Sequence, residues 1–240
     1  MSKKEYPLTI ENRWDILYSE YPEKYDEFCS YESTQDKDTL IHNMFDLKDK
    51  ELLDIGSGTG ESTFYFAKYA KSVIGIEPEK AMNEEAKRKA KELGINNVSF
   101  VEGFAQKIPL PDNSADMVVG MYFVDHPQDT LIPVFIAEAT RVVRNGGLII
   151  VSNNPPGWYG GALDHVIKST YRGAEDRHRI YTEAGFDYHD VYTETDYGTV
   201  ENMVSAYGFI FGMNAINHIR EHKITTNRAS SRRHFKAIHK

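Results

Sequence analysis

The chain has a single cysteine, Cys29, in 240 residues. No intrachain disulfide can form within it, so a reducing, cytoplasmic compartment is the expectation. No apolar run approaches the roughly 20 residues that a membrane span needs, and no membrane contact is expected. Met1 to Pro7 has no apolar stretch after its lysines, so no secretory signal is expected there. Positive charge is in deficit: 28 Lys and Arg stand against 36 Asp and Glu, a net charge of −8. That balance makes nucleic acid an improbable partner. No Cys/His cluster or carboxylate set has metal-ligand spacing, so no metal is expected. Neither repeats nor low-complexity segments occur. The length suits one α/β domain, or one domain with a cap.

The most informative stretch is Glu51 to Gly60, Glu-Leu-Leu-Asp-Ile-Gly-Ser-Gly-Thr-Gly. Leu52, Leu53 and Ile55 make a short apolar run, glycines follow at 56, 58 and 60, and a helical pattern opens at Glu61. This reads as a strand, a tight turn and a helix start. Glycine there permits positive φ and lets a ligand approach without a Cβ in the way. The helix start offers free N–H groups and a partial positive charge. Open α/β sheets bind nucleotides at such turns. Gly56 and Gly58 fit the dinucleotide fingerprint, but Glu61 stands in its last glycine position and would face a pyrophosphate. A ligand without phosphates fits better, and Asp54 is placed to meet an ammonium group.

Leu-Asp-Ile-Gly-Ser-Gly-Thr-Gly resembles motif I of the class I S-adenosylmethionine-dependent methyltransferases. The resemblance covers about residues 45 to 152. It implies an α/β, Rossmann-like, mostly parallel seven-stranded sheet with helices on both faces. It also implies that Asp54, Gly56, Ser57, Gly58, Thr59 and Gly60 hold the methionine end of the cofactor. Val73 to Ile76 reads as a second buried strand ending at Glu77, whose carboxylate the family uses on the ribose hydroxyls. Pro78 fixes φ as the next helix begins. Met82, one turn on, has two readings, packing on the adenine or ordinary core. Glu102 to Leu110 resembles the family's adenine-contacting segment, with Phe104 in place of the usual Asp. Ala105 offers its backbone N–H and Gln106 a side chain, while Phe104 either stacks on adenine or packs.

Asp116 opens a fourth strand, which ends in Gly120-Met121-Tyr122-Phe123-Val124-Asp125-His126. In the order the resemblance implies, this tip faces the transferable methyl. Met121 is a cofactor contact by position, and Tyr122, Asp125 and His126 are the candidate catalytic side chains. His126 can act as a base near neutrality or simply cap the next helix. A helix is expected over 129–144 and a fifth strand over 148–152. Asn154-Pro155-Pro156 invites comparison with the Asn-Pro-Pro-Tyr motif of amino-group DNA methyltransferases. It follows the fifth strand rather than the fourth, so the comparison fails. Trp158 to Gly161 reads as an aromatic loop at the site's mouth.

Residues 1–46 are expected to form a helical cap and 47–240 the methyltransferase domain, with inserted helices at about 157–184, broken at Gly173, and at about 200–222. Trp14, Tyr18, Tyr21 and Tyr25 recur at helical spacing, with Pro22 as a break. Their face either packs on the main sheet or forms a lid over the cofactor, with Tyr25-Asp26 near it. Strands are expected at about 187–197 and 230–240. The helix at 200–222 is too apolar to be bare, so it packs on the domain, covers the cleft or makes a homodimer contact. The basic C-terminus is a solvated edge or a contact for an anionic substrate or RNA. The implied activity is methyl transfer from S-adenosyl-L-methionine to a small-molecule acceptor, leaving S-adenosyl-L-homocysteine; quinone-biosynthesis methyltransferases are the nearest general type. An RNA or protein methyltransferase, a non-catalytic S-adenosylmethionine-binding partner and an NAD-linked oxidoreductase are the alternatives.

Overall fold

A computed structural model of the chain describes residues 6–32, 44–123, 131–157, 161–167 and 173–240. Seven strands form one sheet: β1 Glu51–Ile55, β2 Ser72–Glu77, β3 Val98–Glu102, β4 Ala115–Met121, β5 Val143–Asn153, β6 Asp187–Asp196 and β7 Thr226–Ala237. Their order is β3-β2-β1-β4-β5-β7-β6. The first five are parallel, and β7 runs antiparallel between β5 and β6. The order reverses at β1, so the C-terminal tips of β1 and β4 open a crevice where ligands of such sheets bind.

The sheet buries both faces. Leu53, Ile55, Val118, Ile149 and Val151 pack against the helices Ile132–Val142 and Ala174–Glu183. On the other face, Leu52, Val119 and Ile150 meet Tyr65 and Phe66 of the helix Glu61–Ala67, and Leu47. Strands buried on both sides read as continuous apolar runs, which is why β1 and β4 were visible in the sequence.

A second core stands apart from the sheet. The helices Trp14–Glu20 and Pro22–Glu32 meet at Pro22, as expected. Their aromatic face does not pack on the main sheet. Trp14 meets Phe211 at 5.8 Å, Tyr21 meets Phe209 at 5.7 Å and Phe28 meets Tyr207 at 5.3 Å. Leu163, Ile167, Met203, Ile210 and Ile216 complete this cluster. Apolar faces from both ends of the chain thus cover one another.

Four boundaries differ from expectation. The helix before β5 ends at Val142, and β5 starts at Val143. Register jumps between Ala115↔Val143 and Met117↔Leu148, so Asn145-Gly146-Gly147 is a bulge within the strand pairing. The expected helix at 200–222 is three pieces: Val200–Met203, a wide π turn at Val204–Gly208 continuing into Phe209–Phe211, and Met213–His222. Gly212 breaks it at φ +100°, where a Cβ would lie 2.4 Å from Glu11 Oε2. The segment expected to be helical with a break at Gly173 has that glycine at φ +84° as the N-cap of the helix Ala174–Glu183, with Asp164–Ile167 before it, but Gly161–Leu163 is a 3-10 turn. The last strand begins at Thr226, earlier than residue 230.

Candidate active site

β1 ends in the glycine turn because no other residue fits. Gly56, Gly58 and Gly60 have φ of +69°, +54° and +91°. A Cβ on Gly56 would lie 2.3 Å from Phe123 Cβ. The free N–H groups expected here are partly used. Gly56 and Ser57 N–H donate to the Ile76 carbonyl at 2.8 and 3.2 Å, and Gly60 N–H donates to Ser57 O at 2.9 Å. These bonds fasten the turn to the end of β2.

Glu77 adds a further tie. Its Oε2 accepts from Gly58 N–H and its Oε1 from Glu79 N–H, each at 2.9 Å. Burial pushes this carboxyl above the usual range, against the pull of the two amides. Asp54 is buried, and its Oδ2 accepts from Thr63 Oγ1 at 2.6 Å. That bond holds the carboxylate in place at the foot of the turn.

The cap reaches the same turn. Tyr25 Cε1 and Met82 Cε lie 3.2 and 3.4 Å from where a Gly58 Cβ would stand. The Asp26 carboxylate accepts from Thr59 Oγ1 and, at 3.0 Å, from Lys89 Nζ. Burial pushes Asp26 up, opposed by Thr59 and Lys89. Charge on the neighbouring Cys29, then burial, holds the Tyr25 phenol well above the usual tyrosine range. Both acids at strand tips, the three glycines and the Tyr25-Asp26 pair therefore converge on one spot.

The remaining sequence candidates divide. Gly103 N–H donates to Glu77 O at 3.3 Å, so the segment from Phe104 starts beside Glu77. Phe104 is 60% exposed and not packed in the core, while Ala105 packs against the core behind β3. Gln106 is half-buried and Pro78 exposed, with no contact that marks a role. Met121 is half-buried at the tip of β4. Tyr122 follows at φ +58°, and its N–H donates to Ser152 O at 3.0 Å. A non-glycine residue held there stores strain, a feature that clusters at functional sites. Asp125, His126, Trp158 and Tyr159 lie outside the described residues.

The basic C-terminus is not a continuous positive surface. Arg228 pairs with Glu194, Arg232 with Asp190 and Arg220 with Glu201. Arg233 is fully buried, neither tail nor solvated edge. Sequence reasoning also missed the buried side chains of Ser152, Asn153 and Ser231. Period-2 alternation along β7 was the available signal, obscured because polar residues occupy both faces. Among the described residues, no group of three or more His, Cys, Asp or Glu is placed to hold a metal ion, and no helix is long and apolar enough to cross a membrane.

An acid at the tips of both β1 and β2, a glycine turn between and a reversal of strand order define a nucleoside-binding α/β protein. Residues 52–147 match a family model described as a methyltransferase domain. The chain is 29% identical over 134 residues to the uncharacterized methyltransferase YcgJ of Bacillus subtilis, 56% of this chain and 52% of that one. The YcgJ crystal structure superposes with a TM-score of 0.64 at 17% identity, over 86% of this chain and all of the other. An uncharacterized methyltransferase of Anoxybacillus flavithermus is 25% identical over 217 residues, 88% of this chain and 92% of the relative. A geranyl diphosphate C-methyltransferase of Streptomyces coelicolor, crystallised with S-adenosyl-L-homocysteine, shares the fold with a TM-score of 0.56 at 16% identity, over 96% and 90%. The chain spans 52%, 40% and 39% of the first three curated relatives, about half or less. Over residues 52–147 the chain is thus similar to methyltransferase domains, and its seven-stranded, mostly parallel sheet is the Rossmann-like fold of the methyltransferase structures it superposes on.

Proposed function

We propose that the chain transfers a methyl group from S-adenosyl-L-methionine to a small molecule held between the sheet's C-terminal edge and the cap. The supporting observation is the convergence of Asp54, Glu77 and the Gly56–Gly60 turn beneath Tyr25. The donor set fits the cofactor. A buried carboxylate suits the ammonium, a second suits a ribose diol, and Gly58 leaves the space a Cβ would fill. The bound cofactor supplies an activated sulfonium methyl.

The chain's task is alignment and exclusion of water. Positioning a nucleophile at about 3–3.5 Å can supply roughly 7–11 kcal/mol of the barrier. Asp54 would hold the cofactor's ammonium and Glu77 its ribose. Tyr25 and the aromatic cap close over Gly58, and aromatic walls favour a cation. Tyr122, Asp125 and His126, following β4, are our candidates to take the proton that the acceptor loses. An RNA acceptor is disfavoured because Arg220, Arg228 and Arg232 are neutralised by acids. Self-association belongs to the same proposal, through exposed Tyr188 and Tyr192 on the edge strand β6.

The test is incubation with S-adenosyl-L-methionine and a metabolite panel. The expected result is S-adenosyl-L-homocysteine release with one acceptor gaining a methyl in mass. Cofactor binding with no turnover on any acceptor would favour the silent binder, and binding of NADH instead would favour the oxidoreductase.

A further inference from the structure

The chain leaving β4 folds back onto the glycine turn after β1, and one side chain fastens the two. Tyr122 holds φ at +58°, a left-handed backbone that bends the chain away from the strand direction. Phe123 then lies over the tips of β1 and β4. Gly120 pairs with Ile55 in the sheet, so Gly56 stands one residue beyond that pair. The Phe123 side chain spans both glycines. A Cβ on Gly56 would lie 2.3 Å from Phe123 Cβ, and a Cβ on Gly120 would lie 2.4 and 2.5 Å from the ring atoms Cε1 and Cδ1. The same ring meets Phe135 of the helix Ile132–Val142 in an edge contact, with centroids 4.8 Å apart.

Gly120 lies inside β4, where glycine weakens a strand and often marks a close approach. What approaches here is the Phe123 ring. Two glycines on neighbouring strands thus make a notch, and one aromatic side chain fills it. Interiors are close-packed, so a fit of this kind passes displacement on rather than absorbing it. Tyr122 is held from two sides. Its own N–H donates to Ser152 O of β5 at 3.0 Å, and its neighbour's ring is keyed against the turn.

We infer that Phe123 is a positioning residue: it sets Tyr122 against the Gly56–Gly60 turn and carries any shift of the loaded turn to the acceptor side of the site. This rests on the methyltransferase reading and adds to it a mechanical link between the cofactor's seat and the acceptor's. Phe123 acts through Tyr122 and through the turn, not by touching a reactant. A misplacement of about 1 Å in such a link costs roughly a hundredfold in rate.

The test places 3-fluorotyrosine at position 122 of the full chain and follows its fluorine signal as S-adenosyl-L-homocysteine is added to saturation. Calorimetry on the unaltered chain comes first, and no binding there defeats the methyltransferase reading. With Phe123 in place, the signal should shift on binding. Binding without a shift defeats only this inference. At saturation of each variant the shift should be smaller in Phe123→Leu, which refills part of the notch, and smallest in Phe123→Ala, which empties it. If Phe123→Ala does not fold, Phe123→Leu decides the comparison. A ring that merely packs would lower the melting temperature of these variants and leave the shift as large as in the unaltered chain, and that result would overturn the assignment. The notch is checked by a double-mutant cycle with Gly120→Ala, whose new Cβ collides with the ring. Phe123→Leu should lower the melting temperature less in the Gly120→Ala background than alone, because it removes the colliding Cε1. Equal losses in the two backgrounds would overturn the notch.

Discussion

Glu77 Oε2 accepts the Gly58 N–H at 2.9 Å, so the acid expected to meet a ribose also holds the glycine turn. Its other oxygen accepts the Glu79 N–H at the same distance. Glutamine can accept at only one of these atoms, and its amide nitrogen would face an N–H. Glu77→Gln should therefore lose one charge-assisted bond and strain the other, costing about 1–3 kcal/mol. Denaturant unfolding checks the stability, and calorimetry should show at least about tenfold weaker binding of S-adenosyl-L-homocysteine. A variant as stable and as tight as the parent would separate Glu77 from both tasks.

Gly56 should tolerate no side chain. Alanine there meets Phe123 Cβ at 2.3 Å and must hold φ at +69°. Overpacking of this kind costs about 1–3 kcal/mol before the backbone strain is added. Gly56→Ala is expected to fold less stably and to lose cofactor binding. Gly146, at φ +81° with open space around it, is the control: alanine there should lose stability and leave binding intact.

The cap grips the turn through Asp26, Thr59 and Lys89. If that grip retains the cofactor, Asp26→Ala should speed release of S-adenosyl-L-homocysteine about tenfold in a stopped-flow chase, equal to about 1.4 kcal/mol. A purely structural cap would show an unchanged release rate with a lower melting temperature.

The first half of the chain was legible because its chemistry is local. Leu52 to Gly60 announces strand, turn and helix within nine residues, and Glu77 ends an apolar run at the strand tip. The second half was harder for physical reasons. Gly212 sits inside an apolar helical pattern, and only the distant Glu11 reveals why the helix must break there. Ser230-Ser-Arg-Arg-His-Phe235 is polar on both faces, so alternation did not show which arginine is buried. The pairing of Trp14, Tyr21 and Phe28 with residues 207–211 joins opposite ends of the chain, which periodicity cannot foresee.

His234 makes the fold sensitive to acid. It is buried, stacks on Tyr181 and lies 3.0 Å from His178 Nδ1 through Nε2. Burial first, then charge on His178 and Arg232, pushes its pKa down to about 3. The unfolded imidazole takes a proton near pH 6.5, so between about 6.5 and 3 the unfolded chain binds more protons. Stability should therefore rise with pH across that window and be lost on acidification, by up to about 1.4 kcal/mol per pH unit. His234→Asn should flatten that slope in urea unfolding at pH 4, 5 and 6, and an undiminished slope would assign it to other groups.

The most direct measurement is calorimetric titration of the unaltered chain, Asp54→Ala and Gly58→Val with S-adenosyl-L-homocysteine, with NADH as the comparison. The unaltered chain should bind one equivalent of the nucleoside and no NADH, and both variants, still folded by circular dichroism, should bind nothing. Unchanged affinity in both variants, or NADH bound in preference, would contradict a cofactor seated on the turn between Asp54 and Gly60.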